Sequence, residues 1–82
     1  MSILSERIEG VIINVDIQSS NMKSASYNTE SKTLLITFNN GSIYEYYEFP
    51  WNKFAEFRRS PSQGKFFYTD INGKYNFKKV IS

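Results

Sequence analysis

Ser62-Gln63-Gly64-Lys65 is the stretch of this chain whose residue types suit the binding of a charged group. A Ser that caps a helix, followed by a Gly in its first turn, leaves backbone N–H groups open to a ligand. The helix dipole places about half a positive charge at that end, and Lys65 adds a full one. A phosphate or a carboxylate fits such a start. The same residues also serve a structural end, with Ser62 as the cap and Gly64 as a packing residue. The motif is far shorter than a complete phosphate-binding loop. Arg58 and Arg59 stand a few residues earlier, at the end of the preceding helix. Cations there gain about 0.3–1 kcal/mol from the dipole. As ligands they would clamp the same anion, bidentately where the geometry allows, with Lys74 behind them.

Two further sets bear on binding. Tyr44, Tyr46, Tyr47, Phe66, Phe67, Tyr68 and Tyr75 are aromatic surfaces on which bases stack, each stack contributing roughly 1–3 kcal/mol. A small domain needs most of them for its core. Tyr47 and Tyr68, beside the apolar faces and not within them, are the expected exposed pair. Ser19-Ser20-Asn21 either contacts a ligand or satisfies backbone groups in a turn.

Catalysis is not expected. The chain has no His and no Cys, so the commonest nucleophiles and general bases are missing. Glu45 and Glu48 are three apart on a strand and face opposite sides. No loop carries the spacing of a carboxylate metal site, and no cofactor is expected.

The elements that must position these residues read as follows. Residues 1–9 suggest a short helical turn or a loose arm. Gly10–Ile17 alternates as a strand, and Met22–Tyr27 as another, ending at the turn Asn28–Lys32. Thr33–Asn39 and Ser42–Phe49 form a hairpin. A two-residue Asn40-Gly41 loop would set Glu45 opposite Ile36, in the middle of an apolar face. A three-residue loop with a left-handed Gly41 pairs Ile36 with Tyr44 and Leu34 with Tyr46. Burying an unpaired carboxylate costs several kcal/mol, so the second register is expected. Pro50 suits the first position of a helix, with a stripe of Trp51, Phe54, Ala55 and Phe57/Arg58 against the sheet. Ser60-Pro61 ends it. A second short helix runs from the Ser62 cap to about Ile71, stopped by Asn72-Gly73, and Tyr75–Val80 is a final strand. The fold class is α+β: an antiparallel sheet of about four strands with two short helices on one face.

Size and composition set the outer bounds. Eighty-two residues make one small domain, rich in rings with seven Phe, six Tyr and one Trp. Without Cys there is no disulfide framework, which fits a reducing cytoplasm. The N-terminus lacks the layout of a signal peptide, and no apolar run approaches the ~20 residues of a membrane span. Charge is uneven. Residues 1–50 carry Arg7, Lys23 and Lys32 against six carboxylates, while residues 51–82 carry Lys53, Arg58, Arg59, Lys65, Lys74, Lys78 and Lys79 against Glu56 and Asp70. That asymmetry marks either a basic face for an anionic partner or an ordinary solvated surface.

Several spaced positions together resemble a known family. Ser19-Ser20-Asn21, Tyr27, Leu34, Ile36, Phe38, Gly41, Tyr44, Tyr46, Phe49-Pro50, Phe54, Ser62, Gly64, Phe66-Phe67, Ile71 and Tyr75 fall in one order with one spacing. The pattern resembles the KTSC domain, which takes its name from the C-terminus of some lysyl-tRNA synthetases and also occurs as short free-standing bacterial and phage proteins. The resemblance runs from about Val15 to Val80. Phe49 stands where the family more often has a smaller aliphatic residue. Residues 1–14 have no clear counterpart and read as an N-terminal extension or edge strand, before a KTSC-like domain over 15–82. The synthetase association suggests an RNA-related role, by association alone. The expectation is a non-catalytic binding module for a phosphate-bearing ligand, RNA or a nucleotide. The alternative is a phage-type protein that sequesters a host nucleotide signal or blocks a host protein, the latter through exposed aromatics such as Tyr47 and Trp51. An exposed sheet edge would also allow a homo-oligomer.

Overall fold

The computed structural model describes residues 2–81. It contains six strands, β1 (Ser2–Glu9), β2 (Ile12–Gln18), β3 (Met22–Asn28), β4 (Thr33–Phe38), β5 (Ile43–Tyr46) and β6 (Phe77–Ile81). Between β5 and β6 lie α1 (Trp51–Arg59), α2 (Gln63–Phe66) and a π-helical turn (Phe67–Ile71). The strands form one antiparallel sheet in the order of the chain, so each strand pairs with its neighbours in sequence. The class is α+β, with the helices on one face.

The sheet has six strands, not about four. The difference lies chiefly at the N-terminus, where residues 1–9 were expected as a helical turn or loose arm. Ser2–Glu9 instead pairs along β2, from Ser2 with Gln18 to Glu9 with Ile12, across a tight turn with Gly10 at φ 62°. The side chains from Ser5 to Glu9 are exposed, so β1 carries no alternation of apolar and polar residues. Its backbone bonds hold it, with Ser5 and Arg7 both reaching the Asp16 carboxylate on β2 at 2.6 and 3.1 Å. β2 does alternate, burying Ile13, Val15 and Ile17.

The central hairpin has the expected register. Ile36 pairs with Tyr44 and Leu34 with Tyr46. Gly41 sits at φ 91°, a left-handed conformation that glycine adopts without Cβ strain. Leu34, Ile36 and Tyr46 are buried, while Glu45 lies on the half-open face.

Pro50 caps α1 in extended conformation, one residue before the helix begins. Phe54 and Phe57 are the buried stripe, and Trp51 is 48% exposed. The Tyr27 ring of β3 stacks on Phe54 with centroids 4.7 Å apart. The second helix starts at the expected Ser62 cap but changes pitch. From Phe67 it widens, and the Asn72 N–H reaches back five residues to the Phe67 carbonyl at 2.7 Å. Phe67 and Ile71 are buried by this turn. Gly73, at φ 77°, ends it. Among the described residues no helix is long and apolar enough to cross a membrane.

Candidate functional site: an aromatic recess with an amide rim

The expected anion cradle is a closed helix cap. The Ser62 N–H donates to Ser60 Oγ at 3.2 Å, and Ser62 Oγ accepts the Lys65 N–H at 3.2 Å. The Phe66 N–H goes to the Ser62 carbonyl at 3.0 Å. Gly64 is buried. Gln63 is 1% exposed and turns its amide back to the end of α1, donating to the carbonyls of Phe57 and Ser60 at 3.1 and 2.9 Å. This loop therefore binds itself: α1 ends within it, its orphan carbonyls need donors, and Gln63 and Ser62 supply the local bonds.

The cations do not gather there either. Arg58 Nη1 donates to the Glu6 carboxylate of β1 at 2.8 Å. Its guanidinium lies 5.2 Å from the centroid of the Trp51 ring and 5.4 Å from that of Phe54. Arg58 thus holds the edge strand to α1. Arg59 and Lys65 are exposed. Lys74 lies in a separate recess of about 380 Å³ with Tyr47, Glu48, Gly73, Tyr75 and Asn76. Ser62, Gly64, Lys65, Arg58, Arg59 and Lys74 therefore form no common anion site.

The deepest recess lies elsewhere, where the helical layer stops short of the sheet. Phe67 packs edge-on against Phe38 at 5.4 Å and against Tyr46 at 6.2 Å, so the π-helical turn covers β4 and β5. β6 continues the same face. Its Phe77 pairs with Tyr46 and its Lys79 with Tyr44, which places both side chains on the helix-bearing side. No helix covers them, and Phe77 stays 55% exposed. The result is a recess of about 600 Å³ floored by Phe38, Tyr44, Tyr46, Phe67 and Phe77. The rings touch one another in a continuous wall, with Phe77 5.7 Å from Tyr44 and 5.8 Å from Tyr46.

Two turns and the end of the π-helical turn provide a polar rim: Ser20, Asn21, Asn39, Asn40, Ser42 and Asn72. The turns are tied together. The Asn39 backbone N–H donates to the Asn21 carbonyl at 2.9 Å, and its side-chain amide to the Ser19 carbonyl at 3.0 Å. Ser19 Oγ donates to Asn21 Oδ1 at 2.7 Å. Asn40 Oδ1 accepts the Ser42 N–H. The single cation of the recess is Lys79, whose ammonium lies 5.6 Å from the centroid of the Tyr44 ring. No carboxylate lines it. Burial, with the neighbouring Tyr44, pushes the Tyr46 hydroxyl up to about 12, so it stays a protonated donor at neutral pH.

Of the expected contact residues, Ser20 and Asn21 line this recess, while Ser19 works as a staple behind it. Tyr68 is exposed at 63% and does not line it. Tyr47 donates to Glu45 Oε1 at 2.8 Å on the other face of the hairpin. Sequence reasoning passed over Asn39, Asn40, Asn72, Phe77 and Lys79. The available signal was register: once Tyr44 and Tyr46 face the core, their β6 partners must face it too.

The recess combines π surfaces for stacking, side-chain amides that both donate and accept, and one ammonium. Among the described residues no group of three or more His, Cys, Asp or Glu is placed to hold a metal ion. Comparison with known proteins places this architecture. The KTSC domain family matches residues 18–75. This chain belongs to the KTSC domain family. The matched segment begins and ends inside the expected Val15–Val80, so Phe77 and Lys79 of the recess lie just beyond it. Curated relatives of the KTSC segment include the lysine–tRNA ligase of Nostoc punctiforme, 36% identical over 59 residues, and that of Trichormus variabilis, 32% identical over 59. Each match covers 72% of this chain but only 10% of the relative. The crystal structure of a KTSC domain protein from Yersinia pestis is similar with a TM-score of 0.80 and 28% identity, covering 84% of this chain and 97% of that one.

Proposed function

We propose that this KTSC domain is a non-catalytic binding module for a phosphate-bearing ligand with a nucleobase, RNA or a nucleotide, and that the aromatic recess is its site. The observation that carries the reading is the composition of that recess: five aromatic rings, an amide-rich rim and Lys79, with no carboxylate. Bases stack on aromatic faces whatever their identity. Asn side chains match the paired donors and acceptors on base edges. An ammonium answers the phosphate. The relatives carry tRNA in their names and share with this chain a segment of a tenth of their length, as a nucleic-acid-binding appendage would. Such ligands, and a chain free of Cys, suit the cytoplasm.

A thermal-shift screen against mononucleotides and a short RNA tests this. A ligand of the folded state raises Tm with its concentration. RNA held through several phosphates weakens steeply with salt, whereas one nucleotide in a recess does so mildly. If neither ligand class shifts Tm, the reading fails, and a protein partner on the exposed Ile8, Trp51 and Val80 becomes the better account.

A further inference from the structure

The geometry points to a ligand longer than one nucleotide: we propose that a single strand crosses β6, with one base in the aromatic recess and the next nucleotide in the adjoining recess at Lys74. This rests on the reading of the aromatic recess as a nucleobase site, and goes beyond it in assigning the second recess.

The two recesses share one stretch of backbone. Asn72, Phe77 and Lys79 line the first, and Gly73, Lys74, Tyr75 and Asn76 line the second. They adjoin again on β5, where Tyr46 belongs to the first and Tyr47 to the second. The Tyr47 N–H donates to the Asn76 carbonyl at 3.0 Å, which locks the two walls of the second recess together. Consecutive residues are 3.8 Å apart at Cα, so no other element separates the two depressions.

Charge follows the same line. Lys74 and Lys79 stand at the two ends of this segment, five residues apart, and their Cα atoms are separated by no more than about 17 Å. Both are exposed, and neither is in an ion pair among the described residues. A lone nucleotide in the first recess meets Lys79 and leaves Lys74 unused. A strand meets both. Glu48 is the one carboxylate of the second recess. It repels a phosphate placed against it, so the backbone of the strand must pass on the Lys74 side, leaving Glu48 to accept from a base N–H.

Fluorescence-anisotropy titrations of the whole chain with labelled mononucleotides, linear dinucleotides and tetranucleotides test the proposal. The expected result is a gain of at least tenfold in affinity from one nucleotide to two. Lys74→Ala should remove most of that gain and leave mononucleotide affinity within twofold. Lys74 is exposed, and unchanged melting of the variant confirms that its fold is intact. Equal affinity for one and two nucleotides overturns the extended site while leaving the aromatic recess as a nucleotide site. Equal losses with both probes in Lys74→Ala overturn it as well. Absence of binding by every probe overturns this inference together with the reading beneath it.

Discussion

Tyr27 donates its phenolic hydroxyl to the backbone carbonyl of Phe49 inside the core, across a distance of 2.5 Å. Both residues are fully buried. The bond joins β3 to the segment that turns from the sheet into α1, and so sets where the helical layer begins. Tyr27→Phe removes the donor and leaves a buried carbonyl alone, a loss of about 1–3 kcal/mol. Urea denaturation should show a lower midpoint with an unchanged slope, and nucleotide affinity should persist in the folded variant. An unchanged midpoint would mean that the carbonyl finds another partner.

The loop after α1 yields a prediction that separates cap from cradle. Ser62→Ala removes the N-cap of α2 and should cost about 0.5–2 kcal/mol. Gln63→Ala strips donors from two carbonyls at the end of α1 and should cost about 1–3 kcal/mol. Lys65→Ala should alter neither stability nor ligand binding. Loss of nucleotide or RNA affinity in Lys65→Ala, with melting unchanged, would restore the cradle as a site.

Phe77 offers the opposite signature. Its ring is 55% exposed, so Phe77→Ala should change Tm little. A lost base stack of roughly 1–3 kcal/mol corresponds to an affinity drop of about 5- to 150-fold. Lys79→Ala should also weaken binding and flatten its dependence on salt. Binding that survives both substitutions would place the ligand elsewhere on the domain.

Alkaline stability should report Tyr46. Its hydroxyl is held protonated up to about 12 by burial and by Tyr44, against 10.0 for an ordinary tyrosine. The folded state therefore keeps a proton that the unfolded chain releases. This contribution is complete below pH 10 and is lost as pH rises towards 12. Burial moves Tyr27 the same way. Denaturation midpoints measured from pH 9 to 12 should fall, and Tyr46→Phe should make the fall shallower. A midpoint that rises over that range would contradict the burial of Tyr46.

How much of this was legible in the sequence depended on whether the cause was local. The register of β4 and β5 was readable because one alternative buried Glu45 and the other did not. The Ser62 cap, the Asn72-Gly73 stop and the family pattern were readable for the same reason. β1 was not, because its exposed side chains record nothing of the backbone bonds that fix it. The cradle failed as a site because Gln63, a polar residue, turned inward to serve carbonyls three and six residues back. The aromatic recess draws on two turns, a π-helical turn and β6, residues up to about sixty apart in the chain. Only the register of β5 with β6 brings Phe77 and Lys79 beside Tyr46 and Tyr44.

The sequential order of the strands has a consequence for synthesis. During translation each strand finds its first neighbour already made, so the sheet can extend as the polypeptide leaves the ribosome. Phe77 and Lys79 arrive after every other part of the recess. A nascent domain halted at residue 75 would hold five paired strands, yet it would present no wall to close the ligand in. Recognition is thereby reserved for completed molecules.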